Sequence, residues 1–593
     1  MKALHIRRAG CWGLVACLLA SCMVIAGDPL PLKPEQKAQA QVEQVLRSEI
    51  LGENEGRDEL LKQAVEEDPG NQPAHWHQGE VRYQDRWVKA EEFAVALGHD
   101  RLAEYEEFRR GHRDTVEGNL AIANWCRRKG LDGQERAHLV RLLQLNPDHL
   151  GARTRSGFVM IDGQWVSRDE LRMEAQRAKM AKRAFGLYLG DFDKWARLMH
   201  AESEQRRQIG AQGIAAIDDP QAIVVIERRL LLDSIPVALA ALGAINQMPD
   251  YEAALALARQ AVLSPALAVR EQAARYLRDR SPDSYVPFLL ANLSSPVTTR
   301  FMVTRGNNGQ MNYRHMFVRE VQGSRQMMIA DRQYQRVNRG GNGVEAGARA
   351  VTRFLSDVAQ RERQVAEQNA YLLTMNNRIC ETLSTALGME LAPQPEVWWT
   401  WWNARNEVYM EGDKPTETLY QSDRISIVDR PPPQRSYDCL AAGTPVMTIM
   451  GLRPIESLIV GDMVLSQDSE TGELAYKAVM EATVRPQGFT LKIVCEGLEL
   501  ETSGGHLFWV SGQGWVKSRE LKPGMFLHTT SGSIEVKLIE ESVEQPTYNL
   551  VVNDFHTFFV SAEHVLNHDN TVRQPTTKIV PGFSEATSPV SNR

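Results

Sequence analysis

Cys439-Leu440-Ala441-Ala442-Gly443-Thr444-Pro445-Val446 divides the chain into two textures. Before it, apolar residues recur at helical spacing. After it come short apolar and β-branched runs at 446–448, 463–465, 491–494, 507–510, 548–552 and 557–560, separated by Gly, Pro, Ser and Asp. Short runs with turn signals between them predict a compact all-β domain over residues 439–570. The cysteine at its head follows a Pro-rich linker, residues 426–438, that includes Pro431-Pro432-Pro433. A lone cysteine carries little information, since most are inert core residues. Its meaning comes from the residues downstream.

The whole chain has 593 residues, too many for one core, so several domains are expected. Apolar residues make up 43% and charged residues 24%, the balance of a soluble globular protein. A net charge of -7 gives no basis for a nucleic-acid partner. Seven cysteines with no CxxC pair are neither a disulfide framework nor a zinc signature, and no cofactor or metal is expected.

Residues 1–27 read as a signal peptide. Lys2, Arg7 and Arg8 form a positive start, and residues 10–20 are apolar but too short for a permanent span. Leu19-Ala20-Ser21-Cys22 resembles a bacterial lipobox, which implies cleavage before Cys22 and its lipidation. Ordinary cleavage after Val24-Ile25-Ala26 is the alternative. Either way the protein is expected to be exported to the cell envelope or periplasm, and acyl chains on Cys22 would tether it to a membrane. Residues 28–34 then act as a spacer.

Residues 35–200 carry an internal repeat. Asp68-Pro69-Gly70-Asn71, Gly79 and Trp87-Val88 recur as Asn146-Pro147-Asp148-His149, Gly157 and Trp165-Val166, each offset by 78 positions. A helix stopped by Asp/Asn-Pro and followed by another helix is similar to tetratricopeptide-type hairpins, with the Trp-Val pairs as short β excursions. Residues 205–425 are similar to HEAT-type repeats, with Pro-containing helix starts at Asp219-Pro220, Pro249-Asp250 and Pro282-Asp283. A β-hairpin insertion is expected near 310–336. The predicted architecture is therefore an α-helical repeat solenoid with short β excursions, followed by an all-β domain. Such a solenoid leaves a groove for a protein or peptide ligand. Eight arginines against two acidic residues over 300–339 read as a solvated hairpin face rather than a ligand patch. The tryptophans at 398, 399, 401 and 402 read as a core cap. Residues 571–593, rich in Thr, Pro and Ser, read as disordered.

From Cys439 to Asn570 the chain resembles the Hint family, the fold shared by hedgehog autoprocessing domains, inteins and pretoxin-type modules of exported bacterial proteins. Cys439 with Gly443-Thr444-Pro445-Val446 is similar to the amino-terminal block, and Gly461-Asp462-Met463-Val464 to the turn and strand after it. Ser503-Gly504-Gly505-His506 stands where the family has Thr-x-x-His. Gly514-Trp515-Val516 with 520–524 resembles the pretoxin variant, and 548–560 the penultimate block. The resemblance implies single-turnover self-cleavage at the Asp438–Cys439 junction by an N–S acyl shift, rather than a multiple-turnover enzyme. Peptide-to-thioester exchange is uphill in an unstrained chain, so the fold must hold the thiol in near-attack geometry and protonate the departing nitrogen.

By resemblance His506 supplies that proton, and Ser503, or Thr502 next to it, positions the imidazole or the amide. Asp554 and His556 are candidates for activating the thiol and orienting the scissile bond; His556 equally fits a core position between Phe555 and Phe558. A splicing domain ends His-Asn followed by Cys, Ser or Thr. Here His568-Asp569-Asn570-Thr571 leaves two registers open. With Asp569 in the Asn place the side chain is a poor nucleophile; with Asn570 there, Asp569 displaces the expected His. The first register keeps His568 in place and leaves carboxy-terminal cleavage in doubt. An inactive Hint domain on an envelope scaffold is the alternative reading, and Cys495 is a candidate to trap Cys439 in a disulfide.

Overall fold

The computed structural model describes residues 33–161, 164–305, 311–334, 343–408, 413–421, 426–429 and 439–584. The signal segment with Cys22 and the residue at the expected junction, Asp438, lie outside the described residues.

The helix Pro34–Ile50 starts with proline in its first turn, where no amide donor is needed, and packs on the helix Arg57–Glu67. Its buried residues Ala38, Val42, Val45 and Leu46 lie on one face at helical spacing. A helix, a short helix and a hairpin then occur twice, 78 residues apart. The first set is Arg57–Glu67, Gln72–His77 and strands β1 (Glu80–Tyr83) and β2 (Arg86–Lys89). The second is Asp132–Leu145, Leu150–Arg155 and strands β3 (Phe158–Ile161) and β4 (Gln164–Ser167). Each short helix is opened by the same device: Asn71 Oδ1 accepts from the Ala74 amide at 3.0 Å, and His149 Nδ1 from the Ala152 amide at 3.1 Å.

The 32-residue helix Arg168–Met199 leads into a helical layer that includes Ile235–Gln247, Tyr251–Leu263, Leu267–Tyr276 and the long helix Gly343–Leu387. One core runs through it, with Phe192, Leu242, Leu257 and Leu383 fully buried. Trp398, Trp399 and Trp402 close that core as expected of a cap. The β insertion is larger than the sequence suggests. Strands β5 (Thr298–Arg305), β6 (Met311–Glu320), β7 (Arg325–Tyr334), β8 (Thr416–Gln421) and β9 (Ser426–Asp429) form one sheet, with β7 and β8 parallel and the other neighbours antiparallel. Its last strand takes residues 426–429 from the expected linker, because Ile427 and Val428 suit a ladder position. Arg314 pairs with Asp331 at 2.8 Å and Arg325 with Glu320 at 2.7 Å, so part of the arginine excess is neutralised locally.

The carboxy-terminal domain is a single twelve-stranded sheet. Its strands are β10 (Leu440–Ala441), β11 (Pro445–Thr448), β12 (Gly451–Pro454), β13 (Met463–Gln467), β14 (Leu474–Cys495), β15 (Leu498–Ser503), β16 (Leu507–Val510), β17 (Gly514–Lys517), β18 (Phe526–Thr529), β19 (Gly532–Val552), β20 (Thr557–Val560) and β21 (Val565–His568). The order is β12-β11-β13-β14-β15-β10-β19-β18-β16-β21-β20, with β17 on β16. Pairings of β11 with β20 and of β14 with β19 fold the sheet back on itself around Leu440, Val446, Phe508, Leu550 and Phe558.

This domain is not a separate bead on the chain. Val81, Ala90, Ala94 and Leu102 share a second core with Leu465, Trp509, Phe559 and Leu566. Residues 571–584 are also placed, against the expectation of disorder from residue 571 onward. Val580 and Phe583 form a tight bridge and bury themselves against Val42 and Leu61, because this short apolar turn has a helix face to cover. Among the described residues no single helix is long and apolar enough to cross a membrane.

Candidate functional site

Strand β10 is only two residues long and sits between β15 and β19, with Leu440 opposite both Thr502 and Tyr548. The turn after it uses Gly443 at φ +82°, a conformation that favours glycine, and closes through a Thr444 hydroxyl bond to the Ala441 carbonyl at 2.7 Å. That wedge fixes Cys439, one residue upstream. Its amide N–H donates to Ser503 Oγ at 2.9 Å. Its carbonyl accepts from the Ser503 amide at 2.8 Å and from the Thr502 hydroxyl at 3.1 Å. Both side chains that competed for one role therefore act, on opposite ends of the same residue. Cys439, Thr502, Ser503 and His506 are all fully buried.

His506 closes the turn that starts at Ser503, its amide donating to the Ser503 carbonyl at 3.2 Å. The amide and hydroxyl of Ser518 both donate to the His506 carbonyl at 2.8 Å. On the ring, Nε2 lies 3.0 Å from Asn567 Oδ1, and Asn567 Nδ2 donates to the Phe558 carbonyl at 2.6 Å. That second bond orients the amide, so the network assigns the proton of the neutral ring to Nε2 and makes Nδ1 its basic nitrogen. Asn567, fully buried in β21, is a residue that sequence reasoning missed. The available signal was an Asn inside an apolar strand, where a buried amide needs a partner.

The other candidates make contacts of their own. Asp554, in a turn at φ +63°, pairs with Arg136 at 3.1 Å and Lys477 at 3.3 Å on the surface. His556 pairs through Nδ1 with Asp569 Oδ2 at 3.1 Å, and its side chain is 44% exposed rather than held in the core. The hydrogen bond to Asp569 raises the His556 pKa against the opposing effect of burial. Burial disfavours the Asp569 carboxylate, but the hydrogen bond from His556 and the nearby imidazoles hold its pKa below the usual range. Asp569 Oδ2 also accepts from the Val552 amide at 2.8 Å, and Oδ1 from the Thr571 amide at 2.9 Å. His568, buried against the edge of Trp515, places Nδ1 2.9 Å from the Asp569 carbonyl oxygen. Asn570 bonds through Nδ2 to the Thr483 hydroxyl at 3.2 Å.

Cys495 does not reach Cys439. It lies opposite Leu498, while Ser503, which holds Cys439, lies opposite Thr490. Five strand residues put roughly 16 Å between the two places, beyond disulfide reach. Neither cysteine forms a disulfide, and burial pushes the Cys495 thiol up to about 11.

The family model for the pretoxin HINT domain matches residues 445–572, so the carboxy-terminal part of the chain carries a Hint domain. Among solved structures, a bacterial intein-like domain from Clostridium thermocellum is similar at 33% identity, over 22% of this chain and 99% of that one, with a TM-score of 0.22. The gp41-1 intein is similar at 30% identity, over 22% and 99%, with a TM-score of 0.19. A DnaB intein from Synechocystis sp. PCC 6803 is similar at 14% identity, over 23% and 100%, with a TM-score of 0.21. No curated protein matches the chain. A Hint domain is in general capable of autoprocessing.

Proposed function

We propose that this is an exported, membrane-tethered helical-repeat protein whose Hint domain cuts the chain once, immediately before Cys439. The observation that carries the reading is the hydrogen bond from the Cys439 amide to Ser503 Oγ, because that nitrogen is the leaving group of an N–S acyl shift. In the step, Cys439 Sγ bonds to the carbonyl carbon of residue 438. The bond from that carbon to the Cys439 nitrogen breaks, and the thiol proton ends on that nitrogen, which becomes a free amine. The two parts stay joined through the thioester until water or another nucleophile takes the acyl carbon and releases the sulfur. His506, with its tautomer set by Asn567, is the residue that moves the proton. Thr502 and Ser503 hold the Cys439 backbone still while the thiol turns. Full burial shields the thiol from oxidants in an envelope compartment.

The buried, ionised Asp569 supports a domain that cleaves before Cys439 and not at its carboxy-terminal end, since a carboxylate does not undergo the ring closure of a terminal Asn. On the amino-terminal side, a cavity of about 600 Å³ between the five-stranded sheet and the helix Gly343–Leu387 supports ligand binding by the repeat region. Phe317, Met327, Met328, Arg361 and Leu419 line it, a mixture suited to a peptide with an apolar and an acidic residue. The test is to incubate the purified protein with hydroxylamine or a reductant. A fragment ending at Asp438 is expected, absent in Cys439→Ala and strongly slowed in His506→Ala. A single stable band in all three proteins refutes self-cleavage, and the mass of the mature amino terminus tests lipidation of Cys22.

A further inference from the structure

We propose that cleavage before Cys439 separates the covalent chain but not the folded molecule: the two products stay docked as a non-covalent heterodimer. This rests on the cleavage proposed above.

Three independent features of the contact carry it. The first is the shared core, in which side chains from the first helical repeat and its neighbours fill the outer face of the β domain. Parting the products would expose Trp509, Phe559 and Leu566 on one and Ala94 and Leu102 on the other, an apolar surface characteristic of obligate interfaces.

The second is a buried polar lock. Glu49, fully buried near the end of the first helix, accepts from His528 Nδ1 and from the Ser511 hydroxyl, each at 2.6 Å. The far ring nitrogen, His528 Nε2, sits 2.8 Å from Gln467 Oε1, and the Ser533 hydroxyl donates to the Glu49 carbonyl at 3.1 Å. An ion pair, Arg109 with Asp462 at 2.8 Å, crosses the same boundary and is nearly as buried. Polar contacts removed from water in this way fix one docking register and disfavour others.

The third is fit. Gly461 at φ +91° has no Cβ where the Tyr105 hydroxyl lies, and Gly532 at φ +123° has none where the Asn54 amide lies. At both positions the β domain has room for an amino-terminal side chain only because the residue is glycine. The tail adds a strap: Arg573 pairs with Asp283 at 2.6 Å, and Val580 and Phe583 insert beside the first helix. Residues on both sides of the β domain therefore hold the amino-terminal product.

The functional consequence is that processing alters chain ends in place. The acyl group has by then passed to the nucleophile that resolved the thioester, and the β domain remains on whatever anchors the amino terminus.

The test separates docking from chemistry. Full-length protein carrying Cys439→Ala and a site-specific protease sequence in place of residues 431–436 is cut by the added protease. It is then examined by size exclusion and native mass spectrometry at about 1 μM, where a nanomolar complex stays intact. Two bands on a denaturing gel, with one native species that contains both chains and elutes with the uncut protein, are expected. Two native species, each of one chain, overturn the proposal. The hydroxylamine assay on the unaltered protein reports on self-cleavage separately, so either idea can fail without the other.

Discussion

Ser503→Ala is the sharpest probe of the site. It removes the oxygen that accepts the Cys439 amide at 2.9 Å, while the two bonds to the Cys439 carbonyl have their own donors: Thr502 Oγ1 and the Ser503 backbone. The buried N–H then loses its acceptor, at a cost of about 1–3 kcal/mol. If Ser503 holds the leaving nitrogen in the reactive arrangement, that loss falls on the barrier and slows cleavage roughly 5- to 150-fold. Ser503→Thr returns an oxygen to the same branch and is expected to restore most of the rate. The assay is the time course of fragment release under hydroxylamine, with thermal melts run in parallel to verify folding. A folded Ser503→Ala protein that cleaves at the unaltered rate would show that the amide bond to Ser503 has no part in the chemistry.

Three further outcomes follow from the same geometry. Glu49→Ala leaves His528 Nδ1 and the Ser511 hydroxyl buried without their acceptor and is expected to destabilise the protein by about 1–3 kcal/mol in urea unfolding; a change under about 0.5 kcal/mol would mean water takes the place of the carboxylate. The His556–Asp569 pair makes stability depend on pH at both ends. His556, with its pKa raised, contributes fully below about pH 6.5 and loses that contribution as pH rises through its folded value; Asp569, with its pKa lowered, contributes above about pH 4 and loses it as pH falls through its folded value. His556→Ala should therefore flatten the alkaline limb of the stability profile, and an unchanged limb would assign it to other groups. Asp569→Asn supplies the amide nitrogen that ring closure needs, beside a carbonyl that His568 Nδ1 already contacts at 2.9 Å. Slow release of residues 570–593 is expected, read by intact mass, and a mass that stays constant over days counts against it.

How far the sequence could be read depended on the range of the forces involved. The β domain was legible because turn residues and short β-branched runs are local signals, and Cys439, Ser503 and His506 sit inside them. The 78-residue repeat was legible for the same reason, since Asn71 and His149 each cap the helix that follows. Glu49 was not. On a helix whose other polar residues are exposed or half-buried it looks like another solvated carboxylate, and only the approach of His528, 479 positions away, reveals its burial. Asp554 misled because acidic residues near a thiol invite a chemical role, whereas its turn faces Arg136 and Lys477. The tail read as disordered on composition, yet Val580 and Phe583 needed only one apolar helix face to be ordered. Contacts between distant segments leave no periodic trace in either segment.

The two-residue strand after Cys439 also sets a clock. Leu440 finds its ladder partners at Thr502 and Tyr548, so the sulfur has no walls until more than a hundred further residues have left the ribosome. At ordinary synthesis rates that interval is about 5 to 20 s. A nascent chain thus carries this cysteine unenclosed through most of its translation, and walls it in only when the last hairpins zip up around it.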